Sequence, residues 1–434
     1  MLITIIIACL VCLSIVVTSI VKPSIKIKKY TFNFYWAIAL TGAMILLCSN
    51  VLSFREFFDG LIAKNSINPI QILILFISMT IISIFLDELG FFDHVASWVI
   101  HHTKAKQSVL FLNFYLLIAI LTMFTSNDII ILTLTPFIIF FCKSAKISPI
   151  PYLVSEFAAA NTWSMMFVIG NPTNIYLSQS YSIDFVSYFK VMWLPTLLGG
   201  LFEFLILGLL FYKSLRQPIA HEEIPLPKED RPLTIIGLSI LLICTVFLII
   251  SSYIELPMYL VAAISLGVLI FVVLVSSLIR KRKPVELGRS LLRAPYELIP
   301  FVISMFAIVL SLNKYGVTTK ICEFFGDKYT VFTYGYSSML SANLLNNIPM
   351  SVIFSSILSG LNGSALEGGI YASIIGSNIG AFITPIGALA GIMWMSILKQ
   401  HEVKYSFLDF MKYGAVVGLP VITVTLITLY LVIA

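Results

Sequence analysis

Polar residues interrupt the apolar stretches of this chain at four places, and their residue types could bind a solute or an ion. Two interruptions are short polar tips between apolar runs, at residues 126–128 and 346–347. The other two combine polar residues with Gly and Pro, at residues 169–174 and 384–388. Gly and Pro open the hydrogen-bond ladder of a helix and leave half-helix ends. Because half-helix amino ends attract anions and carboxyl ends coordinate cations, the four interruptions predict one binding cavity.

The candidate binding residues lie in these interruptions, together with the asparagine that precedes each Gly/Pro stretch. The alternative interpretation of such breaks is a kink whose free backbone groups bond to neighbours. Because the breaks form two matching pairs, we favour the binding interpretation. The candidates are Ser126, Asn127, Asp128, Asn161, Gly170, Asn171, Pro172, Thr173, Asn174, Asn346, Asn347, Asn378, Thr384, Pro385 and Gly387.

Asp128 is the first candidate for ion coupling, because a carboxylate between apolar runs is costly and is functional by default. It could carry a proton or bind a cation; alternatively, it only caps the helix that begins at Ile129. Glu203, inside another apolar run, is the second candidate, either as a proton relay or as half of a structural pair. No cofactor, metal site or catalytic residue is expected, because H-E-x-x-H, G-x-S-x-G and Walker-type motifs are absent from the sequence. The coupling ion would be H⁺ or Na⁺.

The composition places these residues in a membrane. Of the 434 residues, 59% are apolar and 11% are charged, with a mean hydropathy of +1.00. A soluble domain of this length would carry roughly twice that charged fraction. Soluble enzymes, nucleic-acid-binding modules and disulfide scaffolds are therefore excluded, and we expect an all-α polytopic membrane protein whose surroundings are a lipid bilayer rather than nucleic acid.

Two kinds of membrane segment are expected. A span needs about 20 apolar residues. Two segments, 108–142 and 333–358, are interrupted by the polar tips and are predicted to be re-entrant hairpins, because irregular backbone at bilayer depth must be buried in protein or line a wet cavity. The spans are predicted at 2–21, 34–54, 69–87, 150–178, 187–212, 233–253, 258–279, 297–313, 368–398 and 410–433, with 150–178 and 368–398 as broken helices.

The basic residues predict the orientation. If both hairpins return to the side from which they enter, 21 of the 27 Lys and Arg residues fall on one side. The positive-inside rule makes that side cytoplasmic. We therefore expect a cell-membrane protein with its amino terminus outside and most basic loops in the cytoplasm.

The sequence contains an internal repeat. Segments 69–90 and 295–316 share seven identities without gaps, including Ser78/Ser304 and Gly90/Gly316. Each is followed by a hairpin and a broken helix, and the charge assignment gives the two halves opposite orientations. This is an inverted-topology repeat, common among secondary transporters. The expected domains are a first repeat at 1–213, a charged cytoplasmic linker at 214–231 and a second repeat at 232–434.

Several runs resemble the arsenical pump membrane proteins (ArsB-type permeases) of the ion transporter superfamily. They are FLDELGFFDHVASWV, FTSNDIIILTLTPFII, LLNNIPMSVIF and YASIIGSNIGAFITPIGALAGIMW. The resemblance implies an elevator-type carrier in which a domain with the hairpins and broken helices moves against a scaffold. It also implies that Asn127, Asp128, Asn346 and Asn347 lie at the binding site. Where arsenite permeases tend to have an acidic residue in the first broken helix, this chain has Asn161, and the GNPTN run that follows is closer to broader anion-permease relatives.

The expected function is secondary active transport, with proton-coupled export of arsenite or antimonite as the first hypothesis. Sodium-coupled transport of an organic anion such as a dicarboxylate is the alternative. A passive anion channel is a hypothesis from another class, and an intramembrane enzyme is the least favoured. The family resemblance also allows a homodimer and an ATPase partner subunit.

Overall fold

The computed structural model of the chain describes residues 2–434 except 22–23, 28–29, 63–67, 103–105, 218–229, 252 and 255. The described part is built of helices, with one short antiparallel β-ribbon. The elements of the first half are α1 (Leu2–Val21), β1 (Ser24–Ile27), β2 (Tyr30–Asn33), α2 (Phe34–Cys48), α3 (Phe54–Ile62), α4 (Pro69–Glu88), α5 (Phe91–His102), α6 (Gln107–Phe124), α7 (Asn127–Ser144), α8 (Ile150–Trp163), a 3-10 turn (Val168–Gly170), α9 (Pro172–Ser180), α10 (Phe185–Leu210) and α11 (Tyr212–Leu215).

The second half repeats much of this order. Its elements are α12 (Arg231–Ser251), α13 (Met258–Ile279), α14 (Val285–Arg293), α15 (Leu298–Lys314), α16 (Val317–Phe325), α17 (Thr330–Leu345), α18 (Asn347–Leu358), α19 (Gly363–Gly380), α20 (Leu389–Gln400) and α21 (Phe407–Ile433). Among the described residues, eight helices are long and apolar enough to cross a membrane. A multi-pass membrane protein is therefore the correct class.

The helix at the predicted span 34–54 ends before its predicted end, and a second short helix, α3, begins at Phe54. Helix α2 ends at Cys48, and Asn50 adopts a left-handed φ of 56°, which a helix cannot continue through. Helix α3 then begins with a capping pair in which the Ser53 backbone N–H and hydroxyl each donate to Glu56 Oε2 at 2.9 Å. A search for long apolar windows misses such short helices, and it misses α5, α14 and α16 for the same reason.

The β1–β2 ribbon is a second departure from the all-α expectation. It pairs Ser24 with Asn33 and Ile27 with Tyr30. The predicted linker at 214–231 overlaps the end of α11 and the start of α12, and its central residues 218–229 lie outside the described part of the chain.

Both predicted hairpins turn back at their polar tips, with bounds slightly different from those expected. Helices α6 and α7 form the hairpin predicted at 108–142. They lie against each other, because the ring of Phe114 on α6 is 6.5 Å from that of Phe137 and 6.4 Å from that of Phe141 on α7. Helices α17 and α18 replace 333–358 and meet at Asn346, whose φ is 79°. In each hairpin the second helix begins within the polar tip, at Asn127 or at Asn347.

The two predicted broken helices are interrupted at equivalent places. Segment 150–178 is α8, the 3-10 turn and α9, and segment 368–398 is α19 and α20 joined by turns at 381–388. The helices that follow start at side-chain caps: Asp184 accepts from the backbone of Ser187 before α10, and Ser406 and Asp409 form a capping box before α21.

The halves pack reciprocally rather than side by side. Helix α4 of the first half is covered by α12, α13 and α14 of the second, whereas α15 is covered by α1 and α2 of the first. The Tyr35 and Phe301 rings meet edge to face at 4.9 Å between α2 and α15. Helices α10 and α21 pack on each other, so neither half has a separate core.

Ion pairs and hydrogen bonds join loops that the charge count assigns to the same side. At one end Lys143 Nζ donates to His401 O at 2.6 Å, and Arg293 pairs with Asp87 at 2.8 Å. At the other end Lys314 Nζ lies 2.8 Å from Glu56 Oε2. In each contact the charge count places the two residues on the same side.

Candidate functional site

The tip of the first hairpin bonds to the first broken helix. Asn127, the first residue of α7, donates its Nδ2 to Asn161 Oδ1 on α8 at 3.1 Å. Both side chains are completely buried. Asn161 Nδ2 donates to Phe157 O at 2.8 Å, whereas Asn127 Oδ1 is buried and has no hydrogen-bond partner in the described part of the chain. Since buried acceptors are almost always satisfied, this oxygen is open to a ligand.

The first break closes on itself around a glycine. A Cβ at Gly170 would lie 2.3 Å from Ser164 O, so the backbone approaches too closely for any other residue. Asn171 then caps α9, because its Oδ1 accepts from the backbone N–H of Thr173 at 3.0 Å. Asn174 Nδ2 donates back to Ser164 O at 2.8 Å. The break is therefore a hydrogen-bonded loop rather than a simple kink.

Asn378 of the second half completes this loop. Its Oδ1 accepts from Asn171 Nδ2 at 2.8 Å and from Ser164 Oγ at 2.9 Å. Its Nδ2 donates to Asn174 Oδ1 at 2.7 Å and to Ile374 O at 2.8 Å. Its counterpart Asn161 bonds to the hairpin of its own half, so the two asparagines have different partners.

The tip of the second hairpin bonds to the second break through the backbone. Asn347 N donates to Gly387 O at 2.9 Å, and Asn346 Nδ2 donates to Ile386 O at 3.1 Å. Asn343, one turn before the tip, donates to Gly380 O at 2.9 Å and accepts from Thr384 Oγ1 at 2.7 Å.

A glycine again allows a close approach at the second break. A Cβ at Gly387 would lie 3.0 Å from Ala381 Cα and 3.1 Å from Ala381 O. Both breaks thus fold back onto the residue six positions earlier, Ser164 in the first and Ala381 in the second.

The site contains amides and hydroxyls but no basic side chain. Every Lys and Arg whose burial the structure describes is exposed. Asp128 follows the first tip, is half-buried, and forms no hydrogen bond or ion pair with the residues that the structure describes. The described residues also contain no cluster of three His, Cys, Asp or Glu side chains that could hold a metal.

Glu203 lies in a separate buried cluster. Tyr115 Oη donates to Gly200 O at 2.6 Å and lies 3.0 Å from Glu203 Oε1, while Thr162 donates to Glu203 Oε2. Trp163 Nε1 donates to Tyr115 Oη at 3.0 Å. The cluster ties α6, α8 and α10 together, and its link to the binding residues is Thr162, the neighbour of Asn161.

The predicted residues form two hydrogen-bonded groups. The group around the first break is Asn127, Asn161, Asn171, Thr173, Asn174 and Asn378, and the group around the second break is Asn346, Asn347, Thr384 and Gly387. Pro172 opens α9, and Ser126 provides no side-chain cap to α7.

Sequence reasoning missed two members of the network, Ser164 and Asn343. Ser164 lies one turn after Asn161, and Asn343 lies one turn before Asn346 and Asn347. A polar residue at that spacing inside an apolar helix was the signal that could have found them.

Comparisons with known proteins agree with this architecture. The citrate transporter family (CitMHS) matches residues 34–372. An arsenical pump membrane protein of Escherichia coli is 27% identical over 372 residues, covering 82% of this chain and 85% of the relative. A putative arsenical pump membrane protein of Bacillus subtilis (strain 168) is 27% identical over 380 residues, covering 81% and 85%. These matches confirm the resemblance seen in the sequence.

A solved structure shares the fold. The crystal structure of the YdaH transporter of Alcanivorax borkumensis superimposes with a TM-score of 0.59 at 12% identity, covering 99% of this chain and 97% of that chain. The likeness concerns the arrangement of helices.

Proposed function

Because the chain belongs to the citrate transporter family, and is therefore a secondary transporter of this type, we propose that it exports arsenite or antimonite in exchange for protons. The relatives named arsenical pump membrane proteins support this substrate, since they align with four-fifths of the chain.

One observation carries the choice of substrate: the buried network has no basic side chain among the described residues. Arsenite at neutral pH is the uncharged trihydroxide, whose O–H groups donate and whose oxygens accept. The unpartnered Asn127 Oδ1 is an acceptor for such a hydroxyl. A citrate-like anion would need compensating positive charge, which only the amino ends of half-helices offer here.

We further propose that the two halves are inverted repeats and that the carrier moves as an elevator. The matching order α4–α10 and α15–α21 supports the repeat, as does the reciprocal covering of α4 and α15. The hairpins and broken helices would form the moving part, and α1, α2, α4, α12, α13 and α15 the scaffold. The proposed orientation keeps the amino terminus outside.

The proposed coupling residue is Asp128. It follows the substrate-binding tip and has no described hydrogen-bond or ion-pair partner, so a proton can neutralise it without breaking a contact. Export would then exchange one arsenite at the tip for protons entering from outside.

Sodium-coupled transport of an organic anion is the second candidate. The family's description as citrate transporters supports it, and so do the amino ends of α7, α9, α18 and α20, which all begin at the polar breaks. Carbonyl and amide oxygens around Asn127 and Asn347 could hold Na⁺ without a titrating carboxylate.

Transport into proteoliposomes that contain this chain alone tests the proposal. Arsenite, antimonite, citrate and succinate are compared under a pH gradient and under a Na⁺ gradient. We expect arsenite and antimonite to accumulate only with the pH gradient. Accumulation of succinate or citrate with Na⁺ would replace the first candidate by the second. Flux that stays downhill under both gradients would establish a channel, and accumulation only after adding an ATPase subunit and ATP would establish a pump.

A further inference from the structure

A third acidic residue, Glu156, is fully buried on α8, five residues before Asn161. It faces the first hairpin, because Thr135 Oγ1 of α7 lies 3.1 Å from its Oε1 and 3.0 Å from its Oε2. The binding network described above does not use it. No Lys or Arg compensates it, since every Lys and Arg with described burial is exposed.

The hydrogen bonds around Glu156 offer a carboxylate little compensation. Thr135 Oγ1 donates to Ile131 O at 2.5 Å and to the two Glu156 carboxyl oxygens at 3.0–3.1 Å, so its single hydroxyl hydrogen is shared among these acceptors. Because a buried charge is costly without strong donors or an opposite charge, these surroundings favour the neutral carboxylic acid.

Hydrogen-bond donors that could stabilise an ionised Glu156 lie next to its carboxyl group. The indole of Trp394, on α20 of the second half, is the other polar neighbour of the carboxyl group. Its buried Nε1–H is a donor beside the carboxyl group, although the two do not reach the geometry of a full hydrogen bond. If the proton leaves Glu156, Trp394 can donate to the carboxylate, and the Thr135 hydroxyl can rotate away from Ile131 O to do the same. A buried carboxylate is tolerated when donors surround it.

The other elements packed on α8 place no buried positive charge beside Glu156, since their described Lys and Arg side chains are exposed. Glu203 of α10 and Tyr115 of α6 are bonded near Thr162, six residues further along α8. Cys142 of α7 lies near Tyr152, one turn before Glu156. Helix α21 contributes aromatic rings, with Phe410 5.7 Å from Trp394, and the described part of α19 meets α8 at Asn378.

We infer that Glu156 is a second proton-binding group, apart from the substrate-binding tip, where α7, α8 and α20 meet. The O–H bond of the acid breaks, the proton leaves as H⁺, the electron pair stays on the oxygen, and the reverse step restores the acid. Each change reassigns hydrogen bonds between the first hairpin and a helix of the second half. The role in transport rests on the proposed function; the proton site itself does not.

The position of Glu156 suits passage of a proton along α7, between the tip at Asn127 and the exposed end at Lys143. Thr135 lies eight residues beyond Asn127 along α7, about 12 Å at 1.5 Å per residue. Lys143, at the polar end, lies the same number of residues further along the helix.

Infrared spectroscopy of the purified protein, without substrate, tests the proton site. The difference between the wild-type and Glu156→Gln spectra should contain a protonated-carboxyl C=O band that titrates with pH, because bands from other acids such as Asp128 and Glu203 cancel in this difference. Glu367→Gln, at an exposed glutamate, is the matched control and should give no such difference band. Trp394→Phe removes one donor to the carboxylate, so the midpoint should move to higher pH. A difference spectrum without a titrating band would overturn the inference.

Proteoliposomes test the role in transport. In Glu156→Gln we expect arsenite accumulation driven by a pH gradient to fall about tenfold, while arsenite exchange at equal pH falls much less, because Gln matches the neutral acid in shape. Accumulation equal to the wild type would overturn the coupling role. If the wild type moves no arsenite although the band titrates, the proposed function fails and the proton site stands.

Discussion

Asn378 donates its Nδ2 to Asn174 Oδ1 at 2.7 Å, although the two residues are 204 positions apart and belong to different halves. The same amide accepts from Asn171 and Ser164. One side chain of α19 therefore satisfies the loop that interrupts the first broken helix. The first break is therefore completed by the second half, whereas the second break bonds to the hairpin of its own half.

Replacing Asn378 by Ala should disrupt the network. Asn171 Nδ2 and Asn174 Oδ1 would each be left without a partner, at about 1–3 kcal/mol for each group, whereas Ser164 Oγ keeps its bond to Asn161 O at 2.7 Å. We expect a lower thermal unfolding temperature in detergent and loss of arsenite transport. Asn362→Ala is the control, since Asn362 is exposed and its side chain does not cap α19. Equal stability of the two variants would contradict the role of Asn378.

Asp128→Asn should abolish accumulation driven by a pH gradient, because the amide cannot take up a proton. Downhill movement of arsenite should persist. The comparison is Asp59→Asn, which removes an exposed carboxylate paired with Arg55 at 3.8 Å. If Asp128→Asn still accumulates arsenite, Asp128 is not the coupling residue.

Gly170→Ala should be more harmful than Gly387→Ala. The added Cβ meets Ser164 O at 2.3 Å in the first case and Ala381 backbone atoms at 3.0–3.1 Å in the second. Overpacking of this kind costs about 1–3 kcal/mol. Gly267→Ala, where the Cβ meets nothing within 4 Å, is the control and should leave stability unchanged or slightly raised. Unfolding temperatures rank the three variants, and the reverse order would refute the close approach at Gly170.

Glu203→Gln should be tolerated, whereas Glu203→Leu should not. Tyr115 Oη donates to Gly200 O at 2.6 Å and to Glu203 Oε1 at 3.0 Å, and Thr162 donates to Glu203 Oε2; the side-chain oxygen of Gln can still accept a hydrogen bond from these hydroxyls. Leu leaves Thr162 without an acceptor, at about 1–3 kcal/mol. Thermal unfolding and pH-driven accumulation measure both effects. Loss of accumulation in Glu203→Gln alone would instead make Glu203 a proton relay, the alternative left open by the sequence.

The contact between α3 and α15 should make stability depend on pH. A hydrogen bond from Lys314, with further bonds from Ser53, lowers the pKa of Glu56 from its ordinary 4.5 to about 2. The pair therefore stabilises the fold above about pH 4.5, and this contribution is lost as the pH falls to about 2. The difference in unfolding temperature between wild type and Glu56→Gln should shrink over this range and with added salt. A difference that grows toward low pH would contradict the assignment.

The sequence alone determined the class of protein and the places where its helices break. Length and hydropathy are local properties, so apolar windows located α1 and α13 at their observed bounds, and the polar tips located both hairpin turns. Windows of about 20 residues could not resolve short helices such as α3 or the turn after Cys48.

Only the tertiary structure decided which polar groups meet. Asn161 and Asn378 each lie nine residues before the glycine of a break, Gly170 or Gly387, yet one bonds to its own hairpin and the other to the opposite half. The state of Glu156 likewise depends on Thr135 and Trp394, which come from two other helices. A hydrogen bond forms only when two groups lie within a few ångströms. Packing between helices sets these distances, so the partners cannot be read from the spacing of residues along the chain.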